Sequence, residues 1–390
     1  MHDTSIFDLK LDVPPSKEIK TQGGLRLITL TSSLIACSEN QYKNKPIEMR
    51  TALSMVRDVS QLLRKLLNGD HTTVAGRLAG AYRNIGCDDY ADKILNAMKS
   101  AGHSVIETDP FEDKNLFTFS ARETSPAVNR MKMMWETFRE PIIKNFPSSG
   151  KSITDTEEYL KNVDAIYETD AYHSLSIEGY RVNEELIKRV SEGNWNPDLS
   201  AEDKKHRDAL AARGYYQAFQ VVRESIKTIL EGENPGSTAN KDHSKWYLAL
   251  FGPSVTAGII EAGDLAGYRN RPVYIRRSMH TPPRWDYVGE LMETFFELLN
   301  NEENPHVRVV LGHFIFVYIH PYIDGNGRMG RFLMNVMMSA AGYPWLVIKV
   351  EDRDTYMAAL ESASVDQNIV PFTQFDRCSS ELASASRWRK

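Results

Sequence analysis

The segment from Asn304 to Pro344 constrains the fold more than any other part of the chain. An Asn-Pro pair, which is typical of a helix start, precedes the run HVRVVLGHFIFVYIH. Because this run is apolar on most faces, we expect its helix to be buried centrally. Apolar residues then recur with helical spacing from Met329 until Gly342. The sequence therefore predicts two packed helices joined by a short polar loop, in a mainly α-helical domain.

The joining stretch, HPYIDGNGRMGR, contains more polar and charged residues than is usual between two buried helices. Pro321 disfavours helical geometry in the residue before it, so His320 stands at the end of the first helix. Gly325 and Gly327 allow a tight loop whose backbone can approach a ligand closely. Free N–H groups and the positive end of the helix dipole meet where such a loop enters a helix. We therefore predict an anion site at the start of the second helix.

Charged side chains around this loop support the same interpretation. Arg328 and Arg331 are one turn apart and share a helix face, and their forked donors suit a polyphosphate. Asp324 suits Mg²⁺, which needs only one or two protein carboxylates beside phosphate oxygens. His320 can act as a general base. Taken singly, these residues fit an ordinary core histidine and surface charges; together they predict a phosphate site. No GxxxxGK[ST] sequence occurs, which excludes a P-loop.

The stretch resembles the HPF-x-D/E-GNGR-x-x-R signature of the Fic/Doc family, with Tyr322 in place of the usual phenylalanine. The segments AGYRNRPVYI, MHTPP and AAGYPWLVIKVEDRDTYMAALESA are similar to the family's flap and its continuation. The resemblance covers roughly residues 150 to 377. It implies a mainly α fold, in which a Fic-type helical core carries a β-hairpin flap.

The resemblance implies transfer of AMP from ATP to a Ser, Thr or Tyr hydroxyl of a target protein, or of the chain itself, with release of pyrophosphate. His320 would deprotonate the hydroxyl, and Asp324 would hold Mg²⁺. The sequence does not separate this reaction from its reverse, removal of AMP from a modified target. The phosphates would be bound by Gly325, Asn326, Gly327, Arg328 and Arg331.

A second stretch, SLSIEGY, fits the family's inhibitory pattern Ser/Thr-x-x-x-Glu-Gly/Asn. Ser174 and Glu178 share a helix face, and Gly179 is a typical helix end, so an inhibitory helix is expected at about 155–179. The resemblance implies that Glu178 competes with the γ-phosphate for Arg331. The enzyme would then inhibit itself. A surface glutamate beside a terminal glycine is the ordinary alternative.

Two further sets of residues follow from the resemblance. The flap would register the target chain by backbone pairing, through Val273, Tyr274 and Ile275. The nucleobase pocket would lie near Met357, Leu360 and Ser364. Some close relatives have tyrosine and asparagine at the first and last of these three positions, so another nucleotide donor stays open.

The breaker-rich stretch NFPSSGKS is the predicted domain boundary. It separates an α+β accessory region, 1–145, from the Fic-type helical domain, 150–390, whose catalytic core is expected at about 253–365. In the accessory region, GLRLITLTSSLIAC and the residues after Gly102 are expected to form strands. Two helices separated at Gly86 fit a helix-turn-helix or winged-helix module. Residues 70–110 therefore give a second hypothesis, a nucleic-acid-binding regulator that uses the nucleotide site as a sensor; a packing domain is the alternative.

Composition excludes several other classes of protein. The net charge of −5 gives no sign of a polyanion binder, and the three cysteines form no CxxC pair. Neither a disulfide framework nor a zinc cluster is indicated, and a reducing cytoplasm fits best. No apolar run is long enough to span a bilayer. The sequence does not decide whether the protein forms a homodimer.

Overall fold

The computed structural model of the protein is mainly α-helical, as the sequence predicts. The chain divides into two compact units, 1–133 and 134–390. The division falls within a helix, Pro126–Asn145, rather than in NFPSSGKS, most of which lies outside the described residues. No helix of the described part is long and apolar enough to cross a membrane. The structure describes residues 16–22, 24–56, 59–69, 71–101, 103–112, 125–146, 153–192, 207–260 and 267–376.

In the described part of the first unit, an antiparallel hairpin is followed by helices. Strands β1 (Ile19–Gln22) and β2 (Leu25–Ile28) pair with Ile19 opposite Ile28, and Gly24 supplies the left-handed turn residue at φ 80°. The prediction of further strand after β2 was wrong, because Leu34 is buried on one face of a helix instead. The helices are α1 (Leu30–Ala36), α2 (Glu39–Asn44), α3 (Pro46–Ser54), α4 (Ser60–Asn68), α5 (Thr72–Asn84) and α6 (Asp88–Ser100).

The helix pair predicted around Gly86 is confirmed as α5 and α6, but the strand after it is not. Residues 103–110 are extended without strand pairing, because Thr108 donates its N–H to the Gly76 carbonyl of α5. Helix α6 opens with Asp88 and Asp89. A recognition helix turns its N-terminal residues towards DNA, and carboxylates there would repel phosphate. This geometry does not favour nucleic-acid binding through 70–110.

The second unit is built around the predicted pair of buried helices. Helix α13 (Pro305–Ile319) has almost every residue buried and packs on α14 (Asn326–Ala340), which confirms the predicted pair of packed helices in 304–344. The helix α7 (Pro126–Asn145) crosses the division between the units, and residues 370–376 are helical. The others are α8 (Thr156–Ile177), α9 (Glu184–Ser191), α10 (Arg207–Leu230), α11 (Pro235–Thr256), α12 (Val288–Asn301), α13 (Pro305–Ile319), α14 (Asn326–Ala340) and α15 (Arg353–Val365).

Helix α8 lies where the inhibitory pattern places a helix. Asp155 caps its start by accepting from the Glu158 N–H at 2.9 Å. Glu178 is the C-cap residue, and Gly179 follows in the left-handed region at φ 86°. The apolar face of α8 is buried, with Leu175 fully inaccessible. Since each such side chain contributes about 1.5–3 kcal/mol, this face anchors the helix to the core, while residues such as Lys161, Asp164 and Glu168 are exposed on the other face.

The flap, residues 271–280, differs from the expected β-hairpin. It is extended around a turn in which Ser278 donates its N–H to the Ile275 carbonyl at 3.2 Å, but no strand pairing is formed in it. Side chains take the place of ladder bonds. Met279 donates its N–H to Glu361 Oε1 at 2.5 Å, and His280 donates its N–H to Ser278 Oγ at 3.0 Å.

Candidate active site

The loop between α13 and α14 is closed by its own side chains. His320 ends α13 in the left-handed region at φ 54°. Asn326 Oδ1 accepts from the Tyr322 N–H at 2.9 Å, and Asn326 Nδ2 donates to the Tyr322 carbonyl at 2.8 Å. The Tyr322 ring stacks on Tyr247 with centroids 3.7 Å apart, so the aromatic anchor of the signature is present. The side chain of Asn326 is therefore used within the loop, and its backbone N–H is what remains for a ligand.

His320 has the protonation state that a general base requires. Its Nδ1 lies 3.3 Å from the Val317 carbonyl and must donate there, which leaves the lone pair on Nε2. Burial lowers the pKa of His320 to about 4, and the nearby charge of Arg269 acts in the same direction. The imidazole is therefore neutral at neutral pH and ready to accept a proton.

The start of α14 has the backbone geometry of the predicted anion site. Gly325 is the N-cap at φ 81°, and a Cβ there would lie 2.7 Å from Phe251, so a side chain is excluded. The N–H groups of the first helical turn have no intrahelical acceptor. The Gly325 N–H is bound by Asp324 Oδ1 at 2.7 Å, while the Asp324 side chain is 58% exposed. One accessible carboxylate oxygen fits Mg²⁺ held jointly with phosphates; no larger cluster of candidate ligands occurs among the described residues.

Arg328 is a buried cation with few partners. It is 1% exposed, and its guanidinium lies 5.1 Å from the ring centroids of both Tyr180 and Phe251. Its nearest carboxylate oxygen, in Asp324, is 3.6 Å away, and its Nε has no hydrogen-bond partner among the described residues. A buried guanidinium with unused donors is costly. The site therefore suits an anionic ligand beside Arg328.

Arg331 is held by two residues of the stretch SLSIEGY, Ser174 and Glu178. Its Nη2 donates to Glu178 Oε1 at 2.7 Å and to the Ser174 carbonyl at 3.0 Å, and its Nε donates to Ser174 Oγ at 2.8 Å. Nη1 is buried without a hydrogen-bond partner in the described part of the chain. A Cβ on Gly327 would clash with Glu178 Oε1. The carboxylate thus lies directly over the start of α14.

Glu178 and Arg331 each favour the ionised form of the other. Burial raises the pKa of the Glu178 carboxyl, but the charges of Arg331 and Arg328 outweigh burial, and the pKa lies below its usual value. Burial lowers the pKa of Arg331, but Glu178, Tyr356 and Tyr215 together raise it above its usual value. Both groups are therefore ionised at neutral pH. The Glu178 side chain remains 26% exposed, so solvent reaches the carboxylate.

A buried carboxylate behind Arg331 was not found by sequence reasoning. Asp170 Oδ2 accepts from the Tyr215 hydroxyl at 2.6 Å, and Asp170 is 3% exposed. Burial raises the pKa of Asp170 to about 6, against the opposing hydrogen bond from Tyr215 and the charge of Arg331. Asp170 is one turn before Ser174 on α8, and this i, i+4 spacing was the only available signal.

Arg269, also missed, joins the flap to the general base. Its backbone N–H donates to the Pro321 carbonyl at 2.8 Å, and its Nε donates to the His320 carbonyl at 2.7 Å. Further donors reach the carbonyls of Pro283 and Ile319. One guanidinium therefore fixes the end of α13 and both ends of the extended segment around the flap.

The proposed pocket residues lie along α15. Met357, Leu360 and Ser364 are all half-buried and share one helix face by their spacing. The Ser364 hydroxyl donates to the Leu360 carbonyl at 2.9 Å and is occupied within the helix. In the flap, Tyr274 is 83% exposed, while Val273 and Ile275 are half-buried.

These features define a helical domain in which a neutral histidine adjoins a glycine-capped helix start and two buried arginines. Residues 247–338 match the model of the Fic/DOC family. The chain is similar to this family over that segment, which contains α13 and the loop that leads into α14.

Several known proteins are similar to this chain. Protein adenylyltransferase Fic of Drosophila grimshawi is 31% identical over 208 residues, covering 52% of this chain and 39% of that protein. Its namesake in Aedes aegypti is 29% identical over 232 residues, covering 57% and 42%. The chain thus spans about two fifths of the length of these relatives.

Solved structures of Fic proteins are similar at lower identity. Fic-1 from C. elegans aligns with a TM-score of 0.47 at 17% identity, covering 92% of this chain and 90% of that one. A Fic family protein from Desulfovibrio desulfuricans aligns with a TM-score of 0.45 at 21% identity, covering 69% and 77%.

Proposed function

We propose that the protein is a self-inhibited protein adenylyltransferase, which transfers AMP from ATP to a Ser, Thr or Tyr hydroxyl of a target protein or of itself. The observation that carries the proposal is the state of the two arginines. Arg328 is buried with unused donors, and Arg331 is bound by a carboxylate that covers the helix start. The names of the Drosophila and Aedes relatives agree with it.

In the proposed reaction, His320 Nε2 takes the hydroxyl proton as the hydroxyl oxygen attacks the α-phosphorus. The bond from that phosphorus to the bridging oxygen breaks, and pyrophosphate leaves. The N–H groups at the start of α14 and the Arg328 guanidinium would offset the charge of the α- and β-phosphates, and Arg331 would bind the γ-phosphate. Catalysis would come from positioning and charge stabilisation with one base.

Asp324 is the residue that would hold Mg²⁺ with the phosphates of ATP. Its exposed carboxylate adjoins the helix start, as a shared site requires. When bound, the ion would neutralise part of the charge on the leaving pyrophosphate.

Inhibition would follow from competition between two anions. Glu178 uses the Arg331 donor that the γ-phosphate would need. Because the apolar face of α8 is buried, release by detachment of the whole helix would be expensive. A rotation confined to Glu178 and Gly179 would cost less, since a Cβ on Gly179 would meet nothing within 4 Å. We therefore propose local release of the last turn.

The proposed compartment is the reducing cytoplasm. Cys37 and Cys87 are free thiols in the structure, which agrees with such an environment. Nothing in the described residues separates a monomer from a homodimer.

The test is incubation of the full chain with α-labelled ATP and Mg²⁺, followed by mass spectrometry of labelled residues. The Glu178→Gly variant is expected to incorporate label, and the double variant with His320→Ala to incorporate none while still binding ATP. Glu192→Gly is the matched control, because Glu192 is also the C-cap of a helix, α9. Binding of ATP by Glu178→Gly without any transfer to protein would overturn the proposal.

A further inference from the structure

The flap is an exposed and strongly basic edge. Arg271, Arg276 and Arg277 are all exposed, and Tyr274 beside them is 83% exposed. From residue 267 to residue 283 the sequence has no Asp or Glu. None of the three arginines has an ion pair or side-chain hydrogen bond among the described residues. These cations are therefore available to a partner.

The flap is fixed beside the general base at both of its ends. At the first end, Arg269 binds the carbonyl of His320. At the other, His280 Nε2 donates to the Tyr318 carbonyl at 2.9 Å, and the two rings stack with centroids 4.5 Å apart. A chain that docks along the flap is thereby brought to His320.

The turn of the flap has a third anchor, on α15. Glu361 accepts from Ser278 Oγ and from the Met279 N–H, both at 2.5 Å. These donors occupy both carboxylate oxygens of Glu361. The acidic group that reaches the flap is thus already bound, and it leaves the exposed arginines unneutralised.

The backbone of the flap is open to pairing. Among the described residues, the stretch from Arg271 to Arg277 uses two of its carbonyls, those of Arg271 and Ile275. Half-buried Val273 and Ile275 alternate with exposed neighbours, which is the pattern of a strand with one free face. An extended chain can add to such an edge by main-chain hydrogen bonds.

We infer that the segment which docks on the flap is an acidic polypeptide, with carboxylates on both sides of the hydroxyl that receives AMP. The inference rests on the proposed function, and it adds the chemical class of the polypeptide that receives AMP. Arg271 lies at one end of the extended stretch, and Arg276 and Arg277 lie in the turn that ends it, beyond roughly 14 Å of extended chain from 271 to 275. The carboxylates are therefore expected about five residues apart, with the modified residue between them.

Three fluorescent peptides test this, identical except that the residues flanking a central serine are Glu, Gln or Lys. Their binding to the full-length Glu178→Gly protein is measured by anisotropy at low and at physiological salt. The Glu peptide is expected to bind about tenfold more tightly than the Gln peptide, with a preference that weakens as salt rises. The Lys peptide is expected to bind most weakly.

Variants assign the preference to the flap. Arg271→Gln, Arg276→Gln and Arg277→Gln together are expected to abolish it, while Arg284→Gln retains it, because Arg284 is outside the flap and already pairs with Asp286 at 2.8 Å. Equal binding of the three peptides, no binding of the Glu peptide, or a preference that survives the triple substitution would overturn the inference.

The two proposals fail separately. Charge-dependent binding without AMP transfer to any protein would leave the docking inference standing and remove the adenylyltransferase. Self-modification together with charge-independent peptide binding would support the adenylyltransferase and remove the docking inference.

Discussion

Arg331 and Glu178 are 153 positions apart in the chain and are joined by a hydrogen bond of 2.7 Å. The same guanidinium is also held by the hydroxyl and the carbonyl of Ser174. Loss of the carboxylate therefore need not move the arginine, because Ser174 keeps two of its donors in place. Only the Glu178 carboxylate is removed, and the Arg331 guanidinium stays in the position where it would bind a phosphate.

Glu178→Gly is accordingly expected to raise the affinity for ATP by about 10- to 100-fold, since a hydrogen bond between charged groups contributes ~1.5–3 kcal/mol. Isothermal titration of the full chain with ATP and Mg²⁺ measures the change directly. Glu192→Gly serves again as the control, and it should titrate like the wild type. An unchanged affinity in Glu178→Gly would show that the carboxylate does not compete with the nucleotide.

Arg269 is expected to position His320 and to set its pKa. Arg269→Gln removes a charge that lowers the pKa of His320, so that pKa rises. Activity requires the neutral imidazole and is lost as pH falls through this pKa. The acid limb of the rate profile should therefore move to higher pH.

The profile is measured in the Glu178→Gly background, where transfer is expected. Arg269→Lys keeps the charge but loses the forked contacts, so it should lower kcat with little movement of the acid limb. An equal shift of the limb in both variants, or in neither, would contradict the assignment to charge.

The sequence was sufficient for features that depend on neighbouring residues. The helix pair around 320–331 and the end of α8 beside Gly179 follow from local spacing. Contacts between residues far apart in the chain could not be predicted from the sequence. Arg269 and His320 are 51 positions apart, and a single arginine among polar residues looks like any surface charge. The flap was misjudged for a related reason, because its ladder bonds are replaced by Glu361, 82 positions beyond Met279.

Asp170 should make the stability of the fold depend on pH. Burial raises the pKa of Asp170 from 3.8 to about 6, so its protonated form favours folding. Its stabilising contribution is complete below about pH 4 and is lost as pH rises through 6, with a total of about 3 kcal/mol. Asp170→Asn keeps an acceptor for Tyr215 and removes the ionisation. Its loss of stability between pH 5 and pH 7.5 should be smaller than that of the wild type.

Denaturant unfolding at the two pH values measures this difference. Asp164→Asn is the matched control, because Asp164 lies on the same helix and its side chain is 45% exposed. If Asp170→Asn and Asp164→Asn depend on pH as the wild type does, then Asp170 does not ionise in this range.

Nucleotide selectivity is expected to be weak. The Ser364 hydroxyl is occupied by helix carbonyls, and the Met357 thioether is a poor hydrogen-bond partner, so neither reads the edge of a base. Discrimination by shape alone is worth about 10- to 200-fold, against 10⁴ or more for a hydrogen-bonding site. Transfer rates of the Glu178→Gly variant with α-labelled ATP, GTP, CTP and UTP should therefore differ by less than about 100-fold. Ser364→Ala should leave the ratios unchanged, whereas a preference above 10³-fold would mean that other residues recognise the base.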